Sequence, residues 1–223
     1  MSAETRRLSL SLLADRAHYE RVTLAIANAR TSVWVATANV KQLMVEAPIG
    51  TRARARGQYV PILDTIQSLC DRGVVVRILH ATPPSGPFRQ ELAARASRLP
   101  APRFEMRLCP RVHLKMIAID GASLYLGSAN FTGAGLGAKG DGRRNFELGV
   151  ITDDEWMLDA AQARFDAIWR GAECGACRMR KECPAPLDGV QAGGRAPGQR
   201  STASSPRALP RRASIRRPRD RSS

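Results

Sequence analysis

Apolar positions between residues 8 and 170 alternate between two spacings. Val22, Ala25, Ile26 and Ala29 share one face of a segment from Asp15 to Ala29, which predicts a helix. SVWVAT (32–37) is rich in β-branched and aromatic residues and predicts a buried strand. Tyr59 to Asp71 reads as an amphipathic helix closed by Gly73, and VVVRIL (74–79) as the next strand. A short helix follows from Phe88 to Arg98 and stops before Pro100. FEMRL (104–108), LKMIAI (114–119) and SLYLG (123–127) predict three strands. After a glycine-rich stretch come a strand at ELGVIT (147–152) and a helix capped by Asp153 that runs to Trp169. This alternation predicts an α/β fold, a layered α-β-α domain with a mixed sheet over residues 8–170.

Two segments fall outside that pattern. Residues 171–187 are rich in cysteine, and residues 188–223 in Arg, Pro, Ser and Gly. The second stretch has too few large apolar residues to offset the entropy of ordering, which predicts a disordered tail. It holds nine arginines and two aspartates, a net +7 out of the chain's +15. Such a tail serves either as a nonspecific anchor on polyanions or as a solvated extension.

Net charge changes the picture only in part. A +15 chain suits an acidic partner such as nucleic acid or an anionic membrane surface. Thirty-one of the 35 cationic residues are arginine, however, a bias that a GC-rich genome also produces. No run reaches the roughly 18–20 apolar residues of a membrane span. The apolar stretch Leu8–Leu13 is too short for a secretory signal and is cut off by Asp15. Five cysteines, three of them between 174 and 183, suit a reduced cytoplasmic protein better than a disulfide scaffold.

The chemistry concentrates in HLKMIAIDGASLYLGSANFTGAGLG (113–137). His113 and Lys115 are two apart on an expected strand, so both side chains project to one face. A histidine nucleophile beside a permanent cation suits a phosphate, because the lysine neutralises charge on the nonbridging oxygens. Ser128 and Asn130, also two apart, can donate to those oxygens, and Gly127 permits close backbone approach. The glycine-rich stretch is not a P-loop, since Gly140 follows Lys139.

His-x-Lys-x4-Asp-x6-Gly-Ser-x-Asn resembles the signature of the phospholipase D superfamily at His113, Lys115, Asp120, Gly127, Ser128 and Asn130. Six such positions match by chance about once in 10^8 starts. The resemblance extends more weakly over residues 15–170. It implies a phospholipase D-like fold and a metal-independent phosphodiesterase. His113 would form a phosphohistidine, Lys115, Ser128 and Asn130 would hold the phosphoryl oxygens, and Glu147 would orient the imidazole. Asp120 would support the motif's structure and not touch substrate. No second His-x-Lys exists, as the other histidines are His18 and His80. The family resemblance then implies a homodimer that completes the site across a two-fold axis.

Single-motif relatives of this size resemble bacterial endonucleases, which implies DNA or RNA as substrate. The alternatives are a phospholipase or phosphatidyltransferase on phospholipid, and a non-catalytic nucleic-acid-binding module. Lys139, Arg143, Arg144 and the TRARARG run (51–57) are candidate contacts to backbone phosphates, or else solvated loop residues. Cys174-x2-Cys177-x5-Cys183 can wrap a soft metal, and its spacing is similar to part of the iron–sulfur motif of some RecB-type nucleases. Structural zinc fits equally, and a set of reduced thiols is the other reading. Cys109 or Cys70 would supply the fourth ligand, with His18 and His80 behind them.

Overall fold

The computed structural model describes residues 5, 7–46 and 58–189. The TRARARG run and the tail beyond residue 189 lie outside the described residues. Among the described residues nine strands and four α-helices follow one another as β1 (Ser11–Ala14), α1 (Leu24–Ala27), β2 (Ser32–Thr37), β3 (Met44–Glu46), β4 (Tyr59–Pro61), α2 (Ile62–Asp71), β5 (Val75–His80), α3 (Gly86–Ala94), β6 (Phe104–Leu108), β7 (Met116–Ile119), β8 (Ser123–Gly127), β9 (Leu148–Thr152) and α4 (Glu155–Trp169).

Seven strands form one mixed sheet in the order β1-β9-β8-β7-β2-β5-β6. β2, β5 and β6 run parallel, while β7, β8, β9 and β1 join by antiparallel pairing. Alternation along each strand sorts side chains to two faces. Val33, Val35, Ile117 and Ile119 share a core with Val22, Ile26, Ile66 and Phe88 from the helices on one side. Ala36, Met116, Ala118 and Leu124 meet Leu158, Phe165 and Trp169 of α4 on the other. The result is the α-β-α layering that the sequence pattern predicts. On the α4 side, Trp34, Phe165 and Trp169 stack in series, and the Arg77 guanidinium lies 5.4 Å from both tryptophan rings.

Several boundaries differ from expectation for local reasons. The first helix opens with a π-helical turn, Tyr19–Thr23. Residues 59–61 form β4, an arm of a small hairpin with β3, and the helix starts only after Pro61, whose extended backbone caps it. The third helix ends at Ala94 and continues as a separate 3-10 turn, Ala96–Arg98. The cap of α4 is Asp154, not Asp153, because the Asp154 side chain accepts from the Met157 N–H at 2.9 Å. β1 overlaps the short apolar stretch Leu8–Leu13 and forms the sheet edge by pairing with β9. Gly171 ends α4 at φ +71°, and a Cβ there would sit 2.6 Å from the Leu187 carbonyl carbon.

Candidate active site

Antiparallel pairing of β7 to β2 brings the start of β7 level with the end of β2. The end of β8 and the start of β9 arrive at the same place. His113 and Lys115 therefore precede β7 at the edge where Gly127, Ser128 and Asn130 leave β8 and Glu147 enters β9. Both motif residues lie just before the strand and not on it, since β7 begins at Met116. Their two-residue spacing still brings them together. The Lys115 Nζ lies 3.2 Å from His113 Nδ1, 3.1 Å from Nε2 and 3.0 Å from the His113 carbonyl oxygen. Nearly equidistant from the two ring nitrogens, the ammonium sets its positive charge beside the whole imidazole and not on one nitrogen.

Beside this pair, the Gly127 N–H donates to the Lys115 carbonyl oxygen at 3.1 Å. The Ser128 hydroxyl donates to Glu147 Oε2 and accepts from the Leu148 N–H at 3.0 Å. Asn145 Nδ2 donates to the other Glu147 oxygen at 2.9 Å. Among the described residues no hydrogen bond joins Glu147 to His113, so the carboxylate here braces Ser128 and not the imidazole. Asn130 Oδ1 accepts from Thr37 Oγ1 at 3.1 Å, Ala38 N at 3.1 Å and Asn39 N at 3.2 Å. Two backbone donors on that oxygen fix the amide's orientation and leave its NH2 as the group to face a ligand.

Gly127 owes its identity to close approach. A Cβ there would lie 2.7 Å from the Gly149 Cα and 2.8 Å from the Leu148 carbonyl oxygen, and would also strike the Tyr125 hydroxyl. That buried phenol receives the Ala129 N–H at 3.4 Å. Burial raises its pKa to about 12, so it stays protonated as a fixed neutral strut.

Asp120 stands at the far end of β7. Its carboxylate accepts from the N–H groups of Arg30, Thr31 and Ser32 and from Thr31 Oγ1, at 2.7–3.0 Å. Burial alone would raise its pKa, but the bonds from Ser32, Thr31 and Arg30 outweigh it and hold the group below its ordinary value. The geometry gives Asp120 a role in joining the turn after β7 to the loop before β2.

Lys139 and Arg143 are exposed and line an open cavity of about 410 Å³ with Met44, Tyr59 and Gly133. Arg144 is placed differently. It pairs with Asp141 and its side chain is only 17% exposed, which removes it from the solvent-facing set.

Cys109, Cys174, Cys177 and Cys183 line one small cavity. Among the described residues, however, no three His, Cys, Asp or Glu side chains are grouped as the ligand set of a metal ion. The other candidate fourth ligands are elsewhere. Cys70 is buried on α2 with its Sγ 3.6 Å from the Arg103 carbonyl oxygen. His18 packs edge-on against Tyr125. Burial lowers the pKa of His80, whose Nδ1 meets the Thr82 carbonyl oxygen at 2.9 Å.

Thr37, Asn145 and Tyr125 escaped the sequence reading. Asn145 carries the clearest signal, since it stands two residues before Glu147, as His113 does before Lys115. Thr37 ends a parallel strand, the usual place for site residues in an α/β sheet.

Among solved structures the chain is similar to NucT from Helicobacter pylori, at 18% identity over 72% of this chain and 94% of that one, with a TM-score of 0.49. It is similar to the phospholipase D family member Nuc from Salmonella typhimurium at 19% identity, over 74% and 95% of the two chains, with a TM-score of 0.47. A phosphatidylserine synthase from Haemophilus influenzae follows at 12% identity over 70% and 36%, with a TM-score of 0.47. No curated protein matches the chain. The family model described as the PLD-like domain of cardiolipin synthase matches residues 22–169. That match takes in every described strand from β2 onward, and the chain belongs to the phospholipase D superfamily.

Proposed function

We propose that this chain is a metal-independent phosphodiesterase that works as a homodimer, through a phosphohistidine on His113, with DNA or RNA as substrate. The observation that carries the reading is the exposed His113 ring with the Lys115 ammonium against its nitrogens. A ring nitrogen lone pair attacks phosphorus, and the P–O bond to the leaving group breaks. The leaving oxygen takes a proton from the partner's His113. Water then attacks the phosphohistidine, gives its proton to that same imidazole, and restores the free His113. Lys115 and the Asn130 NH2 bind the nonbridging oxygens, while Glu147 holds the Ser128 hydroxyl in register with them.

An apolar strip beside the site supports the homodimer. Phe146 is 99% exposed and Leu148 57% exposed, on either side of Glu147 in sequence. Leu12 and Leu10, on or next to the neighbouring edge strand β1, are exposed as well. A second copy seated there covers apolar surface and brings a second His113 toward the site. The exposed Lys139 and Arg143 support a polyanionic substrate. Among the described residues no helix is long and apolar enough to cross a membrane. The five cysteines are unpaired, which supports a reducing, cytoplasmic setting.

The test is hydrolysis of bis(p-nitrophenyl) phosphate, plasmid DNA and phosphatidylglycerol vesicles in excess EDTA. The expected result is chelator-resistant cleavage of the first two and none of the third. Cleavage of vesicles alone would move the substrate to phospholipid. An inert protein, sedimenting as a dimer, would overturn the catalytic reading in favour of a binding module.

A further inference from the structure

The catalytic reading leaves one constellation unused, the four thiols around a single cavity. Cys109 comes directly after β6, on the loop that leads to His113. Cys174, Cys177 and Cys183 come from the segment after α4, more than sixty residues later in the chain. Chain folding brings all four to one cavity of about 30 Å³, whose other walls include Leu108, Met179 and Leu187 and the two cations Arg111 and Arg180. None is in a disulfide, and all four are partly exposed and within reach of the cavity. The fifth cysteine, Cys70, is buried away from them on α2.

The segment around these thiols lacks the usual sources of order. Between Gly171 and Pro186 there is neither helix nor strand, only a chain of turns. Those turns place the thiols: Cys177 N–H donates to the Cys174 carbonyl, Arg180 N–H to that of Cys177, and Cys183 N–H to that of Arg180. Within that stretch only Gly171 is fully buried, and Cys174 packs partly against the α4-side core. Ion pairs of Glu173 with Arg111 and Arg164, and of Arg180 with Asp188, are solvent-exposed and contribute little. A stretch this long that buries so little apolar surface needs a tie of another kind.

We propose that Cys109, Cys174, Cys177 and Cys183 are the thiolate ligands of one soft metal centre that fastens the segment after α4 to the loop between β6 and β7. As they stand the thiols converge on the cavity without forming a closed ligand set. Binding draws them inward by side-chain rotation, with loss of a proton from each thiol. Four thiolates with no oxygen or nitrogen donor suit zinc or an iron–sulfur cluster. The small cavity fits a single ion with least adjustment of its walls.

The centre is independent of the phosphodiesterase reading, and its test needs no activity. The full chain, purified without chelator, is analysed for zinc, iron and acid-labile sulfide. The expected result is about one zinc per chain; iron with sulfide in its place assigns an iron–sulfur cluster to the same four thiols. Co2+ added to metal-depleted protein should produce thiolate charge-transfer bands with tetrahedral d–d absorption. Cys177→Ser and Cys183→Ser should each abolish retention of the native centre, whereas Cys70→Ser keeps it. Metal removal should lower the thermal midpoint by roughly 10 °C. The proposal is overturned if the native chain retains no metal, Co2+ elicits no thiolate bands, and all four thiols react freely with Ellman's reagent. The cobalt titration decides even where a serine variant fails to fold, because it uses the natural chain.

Discussion

At one end of β7 the Asp120 carboxylate takes hydrogen bonds from Arg30, Thr31 and Ser32. At the other end, His113 stands exposed with Lys115 as its hydrogen-bonded neighbour. Both ends belong to one motif within eight residues, yet their polar groups are used in opposite ways. Asp120 is satisfied by the chain itself, so it has little capacity left for a ligand. His113 and the Asn130 NH2 are left open, which is what a site requires. The difference teaches that motif membership does not equal chemical role, and that the count of internal partners separates the two.

His113→Ala should break the open end most completely. Phosphodiesterase activity is expected to fall by about 10^3-fold or more, with the thermal midpoint unchanged, since an exposed ring contributes little packing. Turnover and a melting curve on one preparation check this. Gly127→Ala should damage both properties, because its Cβ meets backbone atoms of Leu148 and Gly149 that have little room to shift. A loss of about 2–3 kcal/mol is expected in denaturant unfolding, with activity falling as Ser128 is displaced.

Asp120→Asn sharpens the comparison from the closed end. Charge-assisted bonds to four donors become neutral ones, at a cost of about 2 kcal/mol. Activity per folded molecule should stay within roughly twofold of the natural chain, which a titration of folded fraction against rate would show. The smallest effect is the pH dependence of that difference. The folded-state pKa of Asp120 lies below its ordinary value of 3.8, so its contribution is full above that value. It is lost as pH falls through the lower folded value. Natural chain and variant should therefore differ in urea midpoint near pH ~7, with a gap that begins to narrow only as pH falls below 3.8. A gap that stays constant as pH is lowered would show that Asp120 acts through packing and not through charge.

The α4 helix and the strands β2, β5, β7 and β9 are legible in the sequence because each carries a sustained period or a β-branched run. β1, β3 and β4 are not, since they are three or four residues long and become strands only through a partner. The motif residues were legible from spacing alone. Their hydrogen-bond partners were not, because Thr37 and Asn130 are 93 residues apart and meet only when β2 and β7 pair. Arg144 shows the same limit. Next to Arg143 in sequence it looks like one of a basic pair, yet its neighbour faces solvent while it folds back onto Asp141.

Local order along the chain was enough to determine the layered α/β class, the His113–Lys115 pair, and the lack of a second His-x-Lys. Those follow from periods and residue types, which local sterics and chemistry read directly. The tertiary structure alone decided that Glu147 braces Ser128, that Asn130 spends its oxygen on β2, and that Cys109 and not Cys70 joins the three later thiols. Each of these depends on which distant segments the sheet order brings side by side, and strand pairing across tens of residues leaves no local trace in the sequence.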